Sequence, residues 1–232
     1  MKQLIFDAGI IINLSLNNLL WILPKLKKQF NGEFIIPNAV EYEIITKPLQ
    51  IKRFKLEAIQ VFNQVQNKTL TISNDKNIKQ IYDQIDQLAN TSFSCNGQII
   101  KIIHSGEISV IAHAINQNAT AAIDERAMRE LLENPNGFLK HLKKKLKRNI
   151  QMDKEKIKKL KSLTKNIQII RSSEIVTIAY DLGLFNFYIE KGIEKMLKQP
   201  KKQLLDSLLW GTKLRGCSIT DKEIEYIEKK EV

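Results

Sequence analysis

Two predicted β-strands in this chain end in an aspartate. Residues 2–7 form a short apolar run that closes with Asp7, and residues 120–124 form another that closes with Asp124. Because burying an unpaired carboxylate is costly, core packing does not explain an acid at the end of an apolar strand. Asp7 is therefore the strongest single candidate for a functional residue. Spacing does not separate Asp124 from its neighbour Glu125, since either would reach a site from a strand-to-helix turn.

Two glutamates lie near the starts of predicted helices. Glu43 follows Pro37, a residue suited to the first turn of a helix. Glu107 follows Gly106 and opens a helix whose apolar residues recur at helical spacing. The N-terminal turn of a helix favours an ionised carboxylate, so a helix-dipole contact is the simplest alternative role for Glu107.

These acids predict a particular chemistry if the fold brings them together. Carboxylates held close to one another repel, and a bound cation usually resolves the repulsion. A set of hard oxygen ligands without a nearby Cys or His partner indicates Mg²⁺ or Mn²⁺ rather than zinc. Such ions activate water and stabilise the oxygens of a phosphodiester displacement. The predicted ligands are Asp7, Glu43, Glu107 and Asp124.

The elements that must position these acids alternate between strand and helix. Apolar patterning predicts five strands, at residues 2–7, 34–37, 69–72, 120–124 and 166–171. Helices are predicted between them, including one after Asp7 that ends near Pro24. Another helical stretch covers 76–104, with an irregular part near 90–97. The alternation indicates an α/β fold with a parallel sheet and helices on both faces.

In a parallel sheet, the ends of all strands lie on one edge. If the first strand is central and the chain reverses direction along the sheet, the strands that carry Asp7 and Asp124 are neighbours at the switch point. Open α/β sheets bind their ligands in the crevice at that point. We therefore expect the two aspartates to lie close together.

A lysine-rich segment lies between the fourth and fifth predicted strands. Residues 140–165 contain twelve lysines and arginines but only two acids, which accounts for most of the net charge of +12. An apolar stripe within 138–166 predicts helix. The positive charge is interpreted as a phosphate-backbone footprint or as a solvated lysine face. The candidate RNA contacts there are Lys143, Lys144, Lys145, Lys147 and Arg148.

The bulk composition indicates a globular protein with a polyanionic partner. The hydrophobic share is 43% and the sequence pI is about 9.5. No run of roughly 18 apolar residues predicts a membrane-spanning helix, and the N-terminus does not resemble a signal peptide. Cys95 and Cys217 are far apart and lack metal-ligand spacing. We expect free thiols and a cytoplasmic location.

Three further polar residues lie close to the acids in sequence. Asn13 follows Asp7 by six residues and is a candidate for positioning water or phosphate, with a capping or solvent-facing role as the alternative. Arg126 and Arg129 follow the fourth acid. They are candidates for bidentate phosphate contacts, or else they neutralise Asp124 and Glu125 by local pairing.

Four motifs in order give the chain a resemblance to PIN-domain proteins. Two C-terminal stretches, 172–185 and 204–220, also resemble the C-terminal helices of one PIN subgroup. The four motifs are IFDAGIIINL (5–14), IPNAVEYEI (36–44), HSGEISVIAHA (104–114) and AIDERAMRELL (122–132).

The resemblance implies a three-layer α/β/α sandwich and Mg²⁺- or Mn²⁺-dependent hydrolysis of RNA. It maps the acids to Asp7, Glu43, Glu107 and either Asp124 or Glu125. It also implies a single domain over residues 1–232, with 138–166 as a basic helical insertion between strands four and five. The chain departs from the family at Gly9, where a hydroxyl residue is common, and in this insertion. Both departures weaken a toxin assignment more than the nuclease chemistry.

Three hypotheses follow for function. The first is a metal-dependent endoribonuclease with the basic segment holding RNA. The second is a non-catalytic RNA- or ribosome-binding protein on the same scaffold, and the third is a structure-specific DNA nuclease. The sequence leaves open a homodimer and an antitoxin-like protein partner, and no motif supports the latter.

Overall fold

The computed structural model describes residues 2–73, 76–189, 193 and 196–231. Its centre is a five-stranded parallel sheet in the order β3-β2-β1-β6-β8. The strands are β1 (Lys2–Phe6), β2 (Gly32–Pro37), β3 (Thr71–Ser73), β6 (Thr120–Ala122) and β8 (Ile169–Ile170). The five-strand parallel sheet predicted from the sequence is confirmed, including β1 at its centre and β6 as its neighbour.

A second, smaller sheet was not predicted. It is antiparallel, in the order β5-β4-β7, with β4 (Phe93–Cys95), β5 (Gln98–Ile99) and β7 (Ile150–Met152). Strand β4 lies in the irregular part predicted near 90–97, but β5 and a loop occupy residues 98–104, where the prediction of helix was wrong. Strands of two or three residues carry too little alternation to be seen in sequence, and this pairing joins residues far apart in the chain.

Twelve α-helices flank the sheets in the part of the chain that the structure describes. The first six are α1 (Ala8–Leu16), α2 (Ile22–Phe30), α3 (Asn38–Glu41), α4 (Lys55–Gln66), α5 (Lys79–Asn90) and α6 (Ser105–Gln117). The others are α7 (Arg126–Glu133), α8 (Pro135–Leu146), α9 (Lys154–Thr164), α10 (Ser172–Asp181), α11 (Pro200–Leu214) and α12 (Asp221–Glu231). Helix α6 packs on β1, β2 and β6, while α1 packs on α4 and α10. The resulting arrangement is a three-layer α/β/α sandwich.

The predicted first helix is two helices in the structure. Helix α1 ends at Leu16, and Asn18 adopts a left-handed conformation (φ 56°) that breaks the helical path. Pro24 lies in the first turn of α2, where its missing N–H costs nothing, so its prediction as a helix end was wrong.

The basic segment 138–166 is mostly helical, as predicted, and consists of α8 and α9 with β7 between them. Lys147 closes α8 in the left-handed conformation (φ 51°), after which Ile150 is buried and pairs with Cys95 of β4. The apolar stripe thus serves both helix packing and a strand. Tertiary pairing, which the local pattern does not encode, decides where the helix stops.

One hydrophobic core supports the sheet, and β1 passes through its middle. Leu4, Ile5 and Phe6 are all buried, as expected for a parallel strand covered on both faces. A smaller cluster joins α11 to α12 around Leu205 and Ile224. Both cysteines are free thiols. No helix among the described residues is long and apolar enough to cross a bilayer.

Arg171 connects the end of the sheet to the C-terminal helices. Its side chain is largely buried and donates to Glu174 of α10 and, at 2.9 Å, to Glu223 of α12. Burial by itself would raise the pKa of Glu174, but the hydrogen bond and charge of Arg171 outweigh it and lower the pKa. The pair therefore contributes stability above the unfolded-state pKa of glutamate, and this stability is lost as the pH falls through the lower, folded-state pKa.

We predict that Arg171→Met lowers the free energy of unfolding by about 1–3 kcal/mol at pH 7, because it removes charged hydrogen bonds from a mostly buried site. Urea unfolding measures the change, and the deficit should shrink below about pH 4 as the glutamates become protonated. Arg148→Met, at an exposed position, is the control and should stay within about 0.5 kcal/mol of the wild type. A stability of Arg171→Met equal to that of the control would contradict the anchoring role.

Candidate active site

The two strand-ending aspartates meet at one edge of the sheet. The register pairs Phe6 with Ala122, and the backbone N–H of Asp7 donates to the Ala122 carbonyl at 2.9 Å. Asp7 and Asp124 both line the same cavity at this edge. The reversal of the strand order, from β1–β2 on one side to β1–β6 on the other, creates this crevice as expected for an open α/β sheet.

The two glutamates reach the same cavity from helices. Glu43 lies in a π-helical turn, Tyr42–Thr46, that continues α3, and Glu107 lies in the first turn of α6. Gly106 lies between the carboxylates: a Cβ atom at this position would be 3.4 Å from Glu43 Oε2 and 3.8 Å from Asp7 Oδ1. A side chain there would fill the space between these two carboxylates.

The cavity has a volume of about 280 Å³ and gathers all five predicted acids. His104, Arg215 and Gly216 also line it, and none of these three was predicted as a site residue from the sequence. Arg215 and Gly216 follow α11, almost a hundred residues after Asp124. No spacing signal connects this loop to the acids, so only the fold reveals it. The acid-lining set is Asp7, Glu43, Glu107, Asp124 and Glu125.

Asp7 is buried in an environment that disfavours its charge. Its pKa is raised to about 6, mainly by burial and less by the nearby Glu43 and Asp124 carboxylates, although the backbone N–H groups of Gly9 and Ala8 lower it. The N–H of Gly9 donates to Asp7 Oδ2 at 3.2 Å, so the aspartate also caps α1. This hydrogen bond satisfies one oxygen of the carboxylate, but it does not neutralise the negative charge of Asp7.

Burial disfavours the charged form of Glu107 even more strongly than that of Asp7. Burial raises its pKa to about 8, with smaller contributions from Asp7, Glu125 and Glu43, while the His104 N–H lowers it. That N–H donates to Glu107 Oε2 at 3.0 Å, so the helix-capping role considered from the sequence is present. Accepting this hydrogen bond is compatible with lining the cavity, because a carboxylate has two oxygens that can each accept.

Asp124 is held in place by surrounding donors. The Ser172 N–H donates to Oδ1 at 2.8 Å, and the Ser172 hydroxyl donates to Oδ2 at 2.8 Å. Asn13 Nδ2 donates to Oδ2 at 3.1 Å. Burial nevertheless raises the pKa of Asp124 above its ordinary value. Ser172 was missed as a site residue because it lies at the start of α10, a helix that the sequence does not link to β6.

Asn13 is fully buried, which excludes both direct contact with RNA and the solvent-facing alternative. Its amide also donates to the Thr212 carbonyl at 2.8 Å, and Asn17 donates to its Oδ1 at 2.9 Å. The correction follows from the position of α11, which covers this face of α1. Asn13 therefore lies inside the protein and contacts the Asp124 carboxylate.

Glu125 and the two following arginines differ from Asp124 in their exposure and partners. Glu125 is exposed and caps α7 by accepting the Ala127 N–H at 3.3 Å. Arg126 pairs with Glu130, and Arg129 with Glu133, each one helical turn away. The suggested local neutralisation of Asp124 and Glu125 by these arginines is therefore wrong, because helical spacing gives each arginine a partner further along α7.

The five basic residues singled out in the insertion are all exposed. Lys143, Lys144 and Lys145 lie in the last turn of α8, while Lys147 and Arg148 follow it. Cations at the C-terminal end of a helix are favoured by its dipole. This position leaves their charges available to solvent or to a polyanion.

Among the described residues, the acids of the cavity form no ion pair, although Arg215 lines the same cavity. In the part of the chain that the structure describes, no lysine or arginine nitrogen lies within 4.0 Å of a carboxylate oxygen of the five acids. Within those same residues, no three His, Cys, Asp or Glu side chains are already arranged as a metal-ligand cluster. The donors themselves are carboxylate oxygens, which suit a hard divalent cation.

The fold and the site show an α/β protein in which acidic residues line a cavity at the point where the strand order of the parallel sheet reverses. The family described as "DUF3368: PIN domain" matches residues 3–136, more than half of the chain. The chain therefore belongs to the PIN-domain family, whose members are generally nucleases. No curated protein and no solved structure matched significantly.

We predict that the metal-free protein loses stability as the pH rises from about 4 to 8. The folded-state pKa values of Asp7 (about 6) and Glu107 (about 8) lie above their ordinary values of 3.8 and 4.5. The folded protein thus keeps protons that the unfolded chain releases in this window, and ionisation destabilises it. Thermal unfolding in EDTA measures the loss.

The variant Glu107→Gln should flatten this pH dependence and gain roughly 2–4 kcal/mol relative to the wild type at pH 8. Glu130→Gln, outside the cavity on α7, is the control and should retain the wild-type slope. If the stability of Glu107→Gln depended on pH as steeply as that of the wild type, the charge of Glu107 would have to be compensated in the folded protein.

Proposed function

We propose that this protein is a divalent-metal-dependent endoribonuclease that hydrolyses RNA phosphodiester bonds with activated water. One observation carries the proposal: five carboxylates from four separate chain segments line one cavity, without a lysine or arginine paired to them among the described residues. A protein that needed only stability would not retain such repulsion, because each unpaired buried charge costs free energy.

The donor chemistry of the residues present would suit Mg²⁺ or Mn²⁺, because carboxylate oxygens are the ligands that these hard cations prefer. Asp7, Glu43, Glu107 and Asp124 would hold the ion, with Glu125 as the alternative fourth ligand. Gly106 keeps open the space between Glu43 and Asp7. A bound divalent ion supplies activation of water and stabilisation of the charge that develops on the phosphodiester oxygens.

The other side chains of the cavity would orient the carboxylates and bind the phosphate group. Ser172 and Asn13 keep the Asp124 carboxylate in one orientation. Glu107 uses Oε2 to accept the His104 N–H, which leaves Oε1 available to the ion. Arg215, at the cavity and exposed, is suited to hold a non-bridging phosphate oxygen.

RNA would be held mainly through its backbone. The lysine-rich segment 140–165 accounts for most of the net positive charge of the chain, and the charged groups at 143–148 are exposed. Contacts between lysines and phosphates are independent of base sequence and weaken with salt. This segment therefore supports affinity for a polyanion, whereas the acid cavity supports the chemistry.

We predict that Asp7→Asn reduces Mn²⁺-dependent cleavage of RNA by at least about a hundredfold, more than the loss of an outer partner of a metal ligand causes. Folding and RNA binding should persist. Wild type, Asp7→Asn and the control Glu41→Gln are incubated with mixed single-stranded RNA, with single-stranded DNA and with branched DNA, each with and without Mn²⁺. Glu41 is partly buried and bonds to Thr46, and it does not line the cavity.

The substrate arms separate the three functions. Cleavage of RNA that needs both Mn²⁺ and Asp7 supports the endoribonuclease. Cleavage of only DNA would replace the proposal with a DNA nuclease, and binding of RNA without turnover by the wild type would replace it with a non-catalytic RNA-binding protein. Equal cleavage by wild type and Asp7→Asn would contradict the assignment of this cavity.

We further predict that the triple variant Lys143→Glu, Lys144→Glu, Lys145→Glu weakens RNA binding and lowers the slope of log affinity against log salt by about 2, because three phosphate contacts are lost. Fluorescence anisotropy at several salt concentrations measures the slope. The control reverses Lys222, Lys229 and Lys230 of α12, which changes the net charge equally. If both variants lowered the slope equally, RNA binding would depend on the total charge of the protein and not on the position of these lysines.

A further inference from the structure

An apolar groove lies directly beside the acid cavity. It has a volume of about 270 Å³, close to the lower limit of roughly 300 Å³ for small-molecule pockets. Apolar side chains from α1, the π-helical turn, the segment 48–54 and α4 form most of its wall. They include Ile12, Ile44, Ile51, Phe54 and Val61.

Two polar atoms in this groove are buried and have no hydrogen-bond partner among the described residues. They are Ser15 Oγ and Glu57 Oε2. An unsatisfied buried polar atom costs about 1–3 kcal/mol, so two of them in one apolar groove need a reason. A ligand that donates hydrogen bonds to the carboxylate would supply their missing partners.

The groove and the acid cavity share a wall. Ile12 and Glu43 line both, so a molecule in the groove lies next to the carboxylates that would act on a phosphodiester. One residue of α1 and one of the π-helical turn therefore form the boundary between the two sites. A nucleotide chain passing through the cavity would place an adjacent base at the groove.

We propose that this groove binds a nucleobase next to the scissile phosphate and that Glu57 and Ser15 select a base with amino donors on its Watson–Crick edge. Guanine fits best, because its adjacent N1–H and N2–H₂ donors match the two oxygens of a carboxylate. This inference rests on the proposed function, since it names the specificity of the same site.

Two features at the mouth of the groove suit a nucleotide. Phe54 is partly exposed and offers an aromatic ring for a base to stack on, and such contacts are tolerant of base identity. Arg53 lies over that ring at 5.0 Å from its centroid, and Lys47 also lines the groove. Their charges would meet the phosphates that flank a bound base. Stacking would thus provide affinity, and Glu57 would provide selection.

The test measures nucleotide binding without catalysis. Asp7→Asn protein with ¹³C-labelled isoleucine methyl groups is titrated, in EDTA, with each of the four nucleoside 5′-monophosphates. The methyl signals of Ile12, Ile44 and Ile51 report occupancy of the groove and also show that each variant is folded. We expect GMP to bind at least about fivefold more tightly than UMP, the discrimination that hydrogen bonds to a base edge give.

Adding Glu57→Gln should remove this preference, because an amide presents one donor and one acceptor where the carboxylate presents two acceptors. Ser15→Ala should weaken GMP binding less, and Phe54→Ala should weaken all four nucleotides about tenfold. Glu41→Gln is the matched control, since it neutralises a neighbouring carboxylate outside the groove, and it should keep the preference for GMP.

Three outcomes would overturn the inference: equal affinity for the four nucleotides, a preference for GMP that survives Glu57→Gln, or an absence of nucleotide-induced shifts at these methyl groups. Shifts that depend on protein concentration alone would also overturn it, because a second copy of the chain would then cover the groove. None of these results affects the nuclease proposal, which the cleavage experiment decides separately.

Discussion

The burial of carboxylates without paired cations is the constraint around which this protein is organised, and repulsion from neighbouring acids adds to it at Asp7 and Glu107. Asp7, Glu107 and Asp124 are each at least nine-tenths buried, and burial raises the pKa of all three. Water no longer screens these charges, and no described lysine or arginine is paired with them. A site of this kind is tolerable when it is protonated or when a cation enters it. The surrounding structure serves to maintain that unfavourable arrangement.

The sheet topology and the C-terminal helices share this task. Parallel pairing of β1 with β6 fixes the two aspartates at one edge, and the strand order makes that edge a crevice. The region after the family match then completes the site. Ser172 of α10 and the Thr212 carbonyl of α11 hold Asp124 and its partner Asn13. Arg171 in turn attaches α12 to the same end of the sheet through Glu223.

Much of the sheet and the set of acids were predictable from sequence, because both depend on local patterns. The buried run that ends at Asp7 has strand character without any knowledge of its neighbours. The burial of Asn13, the place of Ser172 beside Asp124 and the arrival of Arg215 at the cavity depend on packing between segments that are distant in the chain. The same is true of β7, where a helical pattern gives way to pairing with β4. No periodicity records such contacts.

The acid cavity, the apolar groove beside it and the lysine-rich segment offer three different chemistries. Carboxylates would hold the cation, unsatisfied groove atoms such as Glu57 Oε2 would choose a base, and exposed lysines would hold the backbone. The π-helical turn connects the first two, since Glu43 lines both the cavity and the groove. Irregular helical turns of this type are frequent at functional sites.

Calorimetric titration of Mn²⁺ at pH 7, in two buffers with different ionisation enthalpies, tests the central claim most directly. The account predicts saturable binding with release of about one proton, because Glu107 has a pKa of about 8 in the metal-free protein and must ionise to bind the cation. Glu107→Gln should bind more weakly and release almost none. Absence of saturable binding, or binding with no proton released by the wild type, would contradict a cavity whose buried charges await a divalent ion.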